Sequence, residues 1–132
     1  PDANILSMRD FLDSARQISE SVTLPVICDC DTGFGNAMNV MSVVRQYEAA
    51  GAAAICIEDK VFPKLNSFAK GKQKLVSKAE FVGKIEAAKH AKTHDDFTII
   101  ARTEALIAGA GMGEALDRAR AYAKAGADVI LQ

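Results

Sequence analysis

The sequence predicts an α/β fold of the (β/α)8 TIM-barrel type, with only about half of the barrel present in this chain. Strand and helix patterns alternate along its whole length with short links, which is the signature of parallel α/β units. Asp29 and Asp31, Glu58 with Asp59, and Arg102 with Glu104 all fall at the carboxyl ends of predicted strands. A barrel assembles its active site from several strands at that rim. The competing architecture, an open doubly wound sheet, would favour a Gly-rich dinucleotide loop. Asp31-Thr-Gly-Phe-Gly35 does not have that spacing, and no acidic residue follows at the proper distance. A complete barrel runs to about 250 residues, whereas this chain has 132.

The elements follow in order. From about Ser7 to Val22, Met8, Phe11, Leu12, Ala15, Ile18 and Val22 recur at spacings of three and four and predict a helix with one apolar face. Pro25 to Cys30 is a short apolar run suited to a parallel strand buried on both faces. Met38, Met41, Val44, Tyr47 and Ala50 return to helical spacing, and Gly51 closes that helix. Ala52 to Glu58 is the second strand, and a Lys-rich segment without a readable period runs from Lys60 to about Leu75. Lys78 to about Lys92 is a helix with Phe81, Ile85 and Ala88 inward; Phe97 to Arg102 is the third strand. Gly113 to Ala125 is the last helix, with Leu116, Ala119 and Ala123 expected inward, and Ala127 to Leu131 is the fourth strand. Pro1 at one end and a strand at the other suggest the middle of a longer polypeptide.

Composition narrows the function classes. Sixteen Lys and Arg stand against 17 Asp and Glu, a net charge of -1. Nucleic acid and acidic membrane surfaces need a surplus of basic residues, so neither is expected as a partner. No apolar run approaches the roughly 20 residues that span a bilayer, and a cytoplasmic protein is the expectation. Cys28, Cys30 and Cys56 read as reduced core thiols, because a zinc site would want paired CxxC units or nearby histidines. His90 and His94 read as a solvated helix end.

Side chains alternate across a strand, so Asp29 and Asp31 are expected to share one face while Cys28 and Cys30 share the other. Two like charges this close call for a cation between them, and a divalent ion is the natural partner. The alternative is an ordinary Asx-type turn over Asp31-Thr-Gly. Glu58 would reach the same mouth, giving three carboxylates from two strands, a donor set that suits Mg²⁺. Alternatively, Glu58, Asp59 and Lys60 form a solvated charge cluster. The segment after Lys60 is long for a connection of this kind, and such loops are often lids. Its lysines, Lys60, Lys64, Lys70, Lys72 and Lys74, favour an anionic substrate or else keep an exposed loop soluble. Arg102 could fork onto a carboxylate or phosphoryl group, or pair with Glu104 or Glu58.

Asp29-Cys-Asp-Thr-Gly-Phe-Gly-Asn36, Glu58-Asp-Lys-Val-Phe-Pro-Lys64 and Ile100-Ala-Arg-Thr-Glu-Ala-Leu-Ile-Ala-Gly109, in that order, resemble the phosphoenolpyruvate mutase/isocitrate lyase superfamily. The resemblance covers Asp2 to Gln132. The superfamily's lyases carry a loop with a catalytic Cys and a His; here Pro63-Lys-Leu-Asn-Ser67 has neither. That loop looks like the phosphomutase branch, and less like phosphonopyruvate hydrolase, which tends to have Thr where Asn66 stands.

The resemblance implies an Mg²⁺-dependent isomerase of phosphonate biosynthesis that interconverts phosphoenolpyruvate and phosphonopyruvate, small-molecule substrates. Asp29 would contact Mg²⁺ directly, with Asp31 and Glu58 holding its waters. Asp2 matches a further acidic residue near the metal. Lys64, Asn66 and Ser67 would belong to a gating loop, and Asn66 and Arg102 would bind the phosphonyl group. Residues 1–132 would run from the end of the barrel's second strand through its sixth, within a homo-oligomer that in the superfamily is usually a tetramer. Cys30 stands where the superfamily commonly has a small residue, and Ala110 where it often has an aromatic one. The superfamily's first strand and a histidine expected just past Gln132 have no counterpart, so the chain alone is expected to be inactive. Two other readings remain: a hydrolase or carbon–carbon lyase of the same superfamily, and a non-catalytic half-barrel that assembles with a partner.

Overall fold

A computed structural model describes residues 4–67 and 73–132. Its elements alternate as α1 (Met8–Ser21), β1 (Ile27–Asp29), α2 (Ala37–Ala49), β2 (Ala54–Glu58), α3 (Lys78–Ala91), β3 (Thr98–Arg102), α4 (Gly111–Lys124) and β4 (Val129–Leu131). The strands pair in parallel and in chain order, β1-β2-β3-β4. Crossovers between such neighbours are right-handed, so successive helices fall on one face. Accordingly α1 packs on α2, α2 on α3 and α3 on α4. A doubly wound sheet would reverse its strand order and carry helices on both faces; this one is a stretch of barrel wall.

Local chemistry starts and stops the helices. Ser7 and Asp10 form a reciprocal capping box at α1, as do Asn36 and Asn39 at α2, and the Ser77 hydroxyl accepts from the Glu80 N–H at α3. After α2, Gly51 takes φ +84°, a left-handed conformation that most residues avoid. The helix-side core joins Ile55, Ile57, Ile99 and Ala101 of the sheet to Val40, Val44 and Tyr47 of α2 and to Phe81, Ile85 and Ala88 of α3. Across the sheet lies a second, smaller cluster of Ala54, Cys56 and Ile100. Register places Ile27, Val129 and Leu131 on that same face, where they are 63%, 45% and 44% exposed. Parallel sheets normally bury both faces, and this face is left open within the chain.

The structure corrects three expected helix faces. In α1, Leu12 and Ala15 are buried, but Ile18 and Val22 are exposed, because the helix overhangs the edge strand β1. In α2, Met38 is exposed and the inward face is Val40, Val43, Val44 and Tyr47. In α4, Leu116 and Ala123 face out and Ala115, Arg118 and Tyr122 face in. A buried carboxylate, described below, draws the two polar residues inward. Other expectations hold: the three cysteines are free and buried, and His90 and His94 are exposed. Among the described residues, no helix is long and apolar enough to cross a membrane.

Candidate active site

The carboxyl ends of β1, β2 and β3 form one rim. Register pairs Asp29 with Cys56, Cys56 with Ile100 and Glu58 with Arg102, so Asp29, Glu58 and Arg102 occupy the face away from the helices. Asp31 reaches this rim differently from the simple alternation expected. The strand ends at Asp29; Asp31 adopts φ +49°, and its N–H donates to Asp29 Oδ1 at 2.9 Å. The Asx-type turn is thus made by the Asp29 side chain over Asp29–Asp31, not over Asp31-Thr-Gly as expected, and it brings the two carboxylates together. Cys28 and Cys30 pack in the helix-side core, as alternation predicts.

The Asp31 carboxylate is buried and has a partner on each oxygen. One oxygen accepts from Asn4 Nδ2 at 2.8 Å and the other faces Lys64 Nζ at 2.9 Å. Lys64 Nζ also lies 3.7 Å from Glu58 Oε1, and the Lys64 backbone N–H donates to Asn4 Oδ1 at 2.5 Å. Lys64 thus spans the two strand ends, pinned at both backbone and side chain. Nothing in the sequence marks Asn4 for this role.

Beside it lies a second charged group. Lys60 Nζ donates to Ser67 Oγ at 2.7 Å and to the Leu65 carbonyl at 3.1 Å, and it stands 3.2 Å from Glu104 Oε2 and 3.7 Å from Glu58 Oε1. Glu104 accepts from Ser67 Oγ at 2.8 Å and from Arg102 Nε at 2.5 Å. Arg102 Nε is also 3.9 Å from Glu58 Oε2. Acids and bases therefore alternate from Asp31 through Lys64, Glu58, Lys60 and Glu104 to Arg102. Glu58, Asp59 and Lys60 are only 2%, 0% and 1% exposed, which overturns the solvated-cluster alternative. Burial pushes the Glu58 carboxyl up, against the pull of the Lys64 and Lys60 ammoniums. For Glu104 burial acts in the same sense, but Ser67, Arg102 and Lys60 outweigh it and hold the carboxyl below its ordinary value. On Cys56, burial and the neighbouring Asp29 push the thiol up to about 12.

The two described ends of the Lys-rich segment, residues 60–67 and 73–75, are tied together beside this rim. Lys60 and Leu75 form an antiparallel bridge, and the Val61 N–H donates to the Lys74 carbonyl at 2.9 Å. Two of the five lysines, Lys60 and Lys64, are buried in ion pairs, so neither acts as a solubilising charge. Asn66 is exposed, and its carbonyl accepts from Gln73 Nε2 at 3.1 Å. Asp2, Lys70 and Lys72 lie outside the described residues.

Asp59 faces the opposite way, under the helices. Its Oδ2 accepts from Tyr122 Oη at 2.6 Å, Arg118 Nη1 at 3.0 Å and Thr103 Oγ1 at 3.0 Å, while Oδ1 accepts from the Glu104 N–H at 2.8 Å. Arg118 Nη2 continues to the Val76 carbonyl at 3.1 Å. One carboxylate therefore fixes the loop after β3, the base of the Lys-rich segment and α4. The spacing of Glu114, Arg118 and Tyr122 on one helical face was the available sequence signal.

The resemblance implies Mg²⁺, and the rim can be tested for it. Among the described residues, no three His, Cys, Asp or Glu side chains stand close enough to hold an ion together as direct ligands. Mg²⁺ retains several waters and takes few protein ligands, so it does not need such a cage. Glu58 Oε1 is buried without a hydrogen-bond partner, the Lys60 and Lys64 ammoniums each standing 3.7 Å away, and a buried oxygen in that state calls for an ordered water such as one carried by a hydrated ion. With an all-oxygen donor set from Asp29, Asp31 and Glu58, the residues fit a hard divalent ion.

Comparison with known proteins follows the same direction. A family profile described as phosphoenolpyruvate phosphomutase matches residues 1–132. A phosphonopyruvate hydrolase from Variovorax is 58% identical over 132 residues, covering 99% of this chain and 46% of that protein. The crystal structure of a phosphoenolpyruvate phosphomutase from Streptomyces platensis superposes with a TM-score of 0.96 at 58% identity, covering 98% of this chain and 45% of that one. A phosphonopyruvate hydrolase solved with oxalate and Mg²⁺ superposes with a TM-score of 0.90 at 57% identity, covering 98% and 44%. The chain spans about half the length of the curated relatives it matches.

Proposed function

Because the chain belongs to the phosphoenolpyruvate phosphomutase family, we propose that the whole protein is an Mg²⁺-dependent isomerase that interconverts phosphoenolpyruvate and phosphonopyruvate. Residues 1–132 supply the end of the second strand through the sixth strand of its barrel. The observation that carries the reading is the buried alternation of carboxylates and cations along the rim, from Asp31 to Arg102, to which Lys60 and Lys64 of the stretch after β2 belong.

Asp29 would hold Mg²⁺ directly, and Asp31 and Glu58 would hold it through water. When bound, the ion supplies the positive charge that steadies a pyruvate enolate. Arg102 and Asn66 bind the phosphonyl group, and the Lys64 ammonium adds charge beside it as it moves between oxygen and carbon. Ser67, held by Glu104 and Lys60, draws the segment down so that water is kept from a group that it would otherwise capture. Asp2 contributes a further carboxylate near the ion. The protein works in phosphonate biosynthesis in the cytoplasm, as a homo-oligomer of the superfamily's tetrameric kind.

Hydrolysis of phosphonopyruvate is the second reading, favoured by the 58% identity to the Variovorax hydrolase. Asn66, where the hydrolase branch tends to have Thr, supports the mutase instead. A ³¹P spectrum of the complete protein with phosphonopyruvate and Mg²⁺ separates them. Phosphoenolpyruvate as product upholds the mutase; inorganic phosphate with pyruvate upholds the hydrolase.

A further inference from the structure

The turn that presents Asp31 is held from the helix side by a lysine of α3. Lys84 is 3% exposed, and its Nζ donates to the Thr32 carbonyl at 3.0 Å, 52 residues away along the chain. That carbonyl belongs to the peptide unit between Thr32 and Gly33, whose N–H donates to the Cys30 carbonyl at 2.8 Å. One peptide plane is thus pinned at both ends, inside a stretch where Asp31, Gly33 and Phe34 take φ of +49°, +86° and +56°. Left-handed backbone at non-glycine residues such as Asp31 and Phe34 persists only where its surroundings over-determine it. Keeping an ammonium there is costly: burial pulls its pKa down, and Glu80, one turn earlier on α3, offsets only part of that. An apolar side chain would fill the same space without that cost, and would leave the Thr32 carbonyl without its donor.

Resting on the reading of the rim as an Mg²⁺ site, we propose that Lys84 is a positioning residue for that site: by locking the Thr32–Gly33 peptide it sets the angle at which Asp31 is presented to the ion. It acts from the helix side, through the backbone of the turn, and touches neither ion nor substrate. The Glu58 N–H, which donates to the Asp31 carbonyl at 2.8 Å, ties the same turn to β2. Lys84 ties it to α3. With that second bond gone the Thr32–Gly33 plane is free to rotate, while Asp31 stays attached through its own carbonyl. The loss therefore falls on affinity for the ion rather than on the reaction once the ion is bound.

The test compares the complete protein as wild type, Lys84→Met and Lys84→Arg. Mn²⁺ titration followed by electron paramagnetic resonance is expected to show binding about tenfold weaker in Lys84→Met, equivalent to about 1.4 kcal/mol. Lys84→Arg, which keeps a charged donor, is expected to recover most of that loss. Turnover of phosphonopyruvate by Lys84→Met is expected to fall at limiting Mg²⁺ and to climb back toward wild type as Mg²⁺ is raised. Amide hydrogen exchange without metal is expected to quicken at Gly33 in Lys84→Met while α4 keeps its wild-type rate, a local loosening that general destabilisation would not give. Wild-type Mn²⁺ affinity in Lys84→Met, an equal loss in Lys84→Arg, or an unchanged Gly33 exchange rate would overturn the proposal, as would a turnover deficit that Mg²⁺ does not relieve. If Lys84→Met does not fold, Lys84→Gln, which removes the charge and withdraws the donor by one bond, takes its place with the same criteria. A wild-type protein that binds no Mn²⁺ defeats the Mg²⁺ reading instead, and the exchange arm still decides whether Lys84 holds the turn.

Discussion

Lys64 Nζ lies 2.9 Å from Asp31 Oδ1, inside a rim where both side chains are 5% exposed. A cation carried by the crossing segment thus already offsets carboxylates proposed to hold Mg²⁺, and the ion and the ammonium compete for the same negative charge. Lys64→Met in the complete protein should therefore tighten divalent-ion binding in the absence of substrate, on the order of tenfold, equivalent to about 1.4 kcal/mol. Turnover should fall at the same time, because charge beside the moving phosphonyl group is lost. Titration with Mn²⁺ followed by electron paramagnetic resonance checks the first effect. Unchanged or weaker Mn²⁺ binding would show that the two cations do not compete.

Asp59 has the opposite character: no exposure, and four donors converging from four residues. Asp59→Asn removes the fully buried one of Arg118's two charge partners and leaves Glu114 at 2.7 Å, so the cost should approach but not exceed the about 3–5 kcal/mol of a buried pair broken outright. The same change in metal affinity should be small, since Asp59 points under the helices. Urea unfolding of the complete protein, monitored with and without Mg²⁺, separates the two. A stability loss under 1 kcal/mol would mean that α4 is held elsewhere.

Arg118 and Tyr122 also explain where sequence reading stops. All four strands and helices were legible, because apolar runs bounded by caps and glycines are a local signal. The strand-end residues Asp29, Glu58 and Arg102 were legible for the same reason, as polar punctuation after apolar runs. The inward face of α4 was not, because apolar periodicity picks Leu116 and Ala123 and cannot foresee a helix that turns an arginine and a tyrosine toward a buried aspartate. Asp31 was placed on the correct rim for an incomplete reason, since alternation predicts its side while the left-handed turn delivers it. Asn4 and Lys60 gain their roles only from contacts across the fold, which no local pattern encodes.

Asp128 gives a pH-dependent test away from the rim. Burial would raise its carboxyl, but the Lys89 ammonium at 2.8 Å and the Ile99 N–H at 2.8 Å outweigh that and hold it below its ordinary value. A carboxyl lowered on folding contributes stability above its unfolded pKa of about 3.9, and that contribution fades as pH falls through the folded value. Asp128→Asn should therefore cost no more than about 1 kcal/mol at neutral pH, because solvent screens a pair this exposed. The gap between wild type and variant should narrow below about pH 4. Thermal unfolding across pH 3 to 8 reads this directly; a gap that widens in acid would contradict the assignment.

Gly33 ties the turn that delivers Asp31 to the core beneath it. Its N–H donates to the Cys30 carbonyl at 2.8 Å, its φ is +86°, and a Cβ built on it would come within 2.6 Å of Val40 Cγ2. Val40 is fully buried and cannot move aside. Gly33→Ala therefore pays left-handed strain of about 1–2 kcal/mol and crowding of about 1–3 kcal/mol. It should also weaken Mn²⁺ binding, since the turn that presents Asp31 must shift. Gly113, inside α4 with nothing within 4 Å of its Cβ position, is the matched control. There the same change to Ala should stabilise by about 0.5–1 kcal/mol through helix propensity alone. Equal effects at the two positions would remove the case that the Gly33 turn is set by backbone geometry.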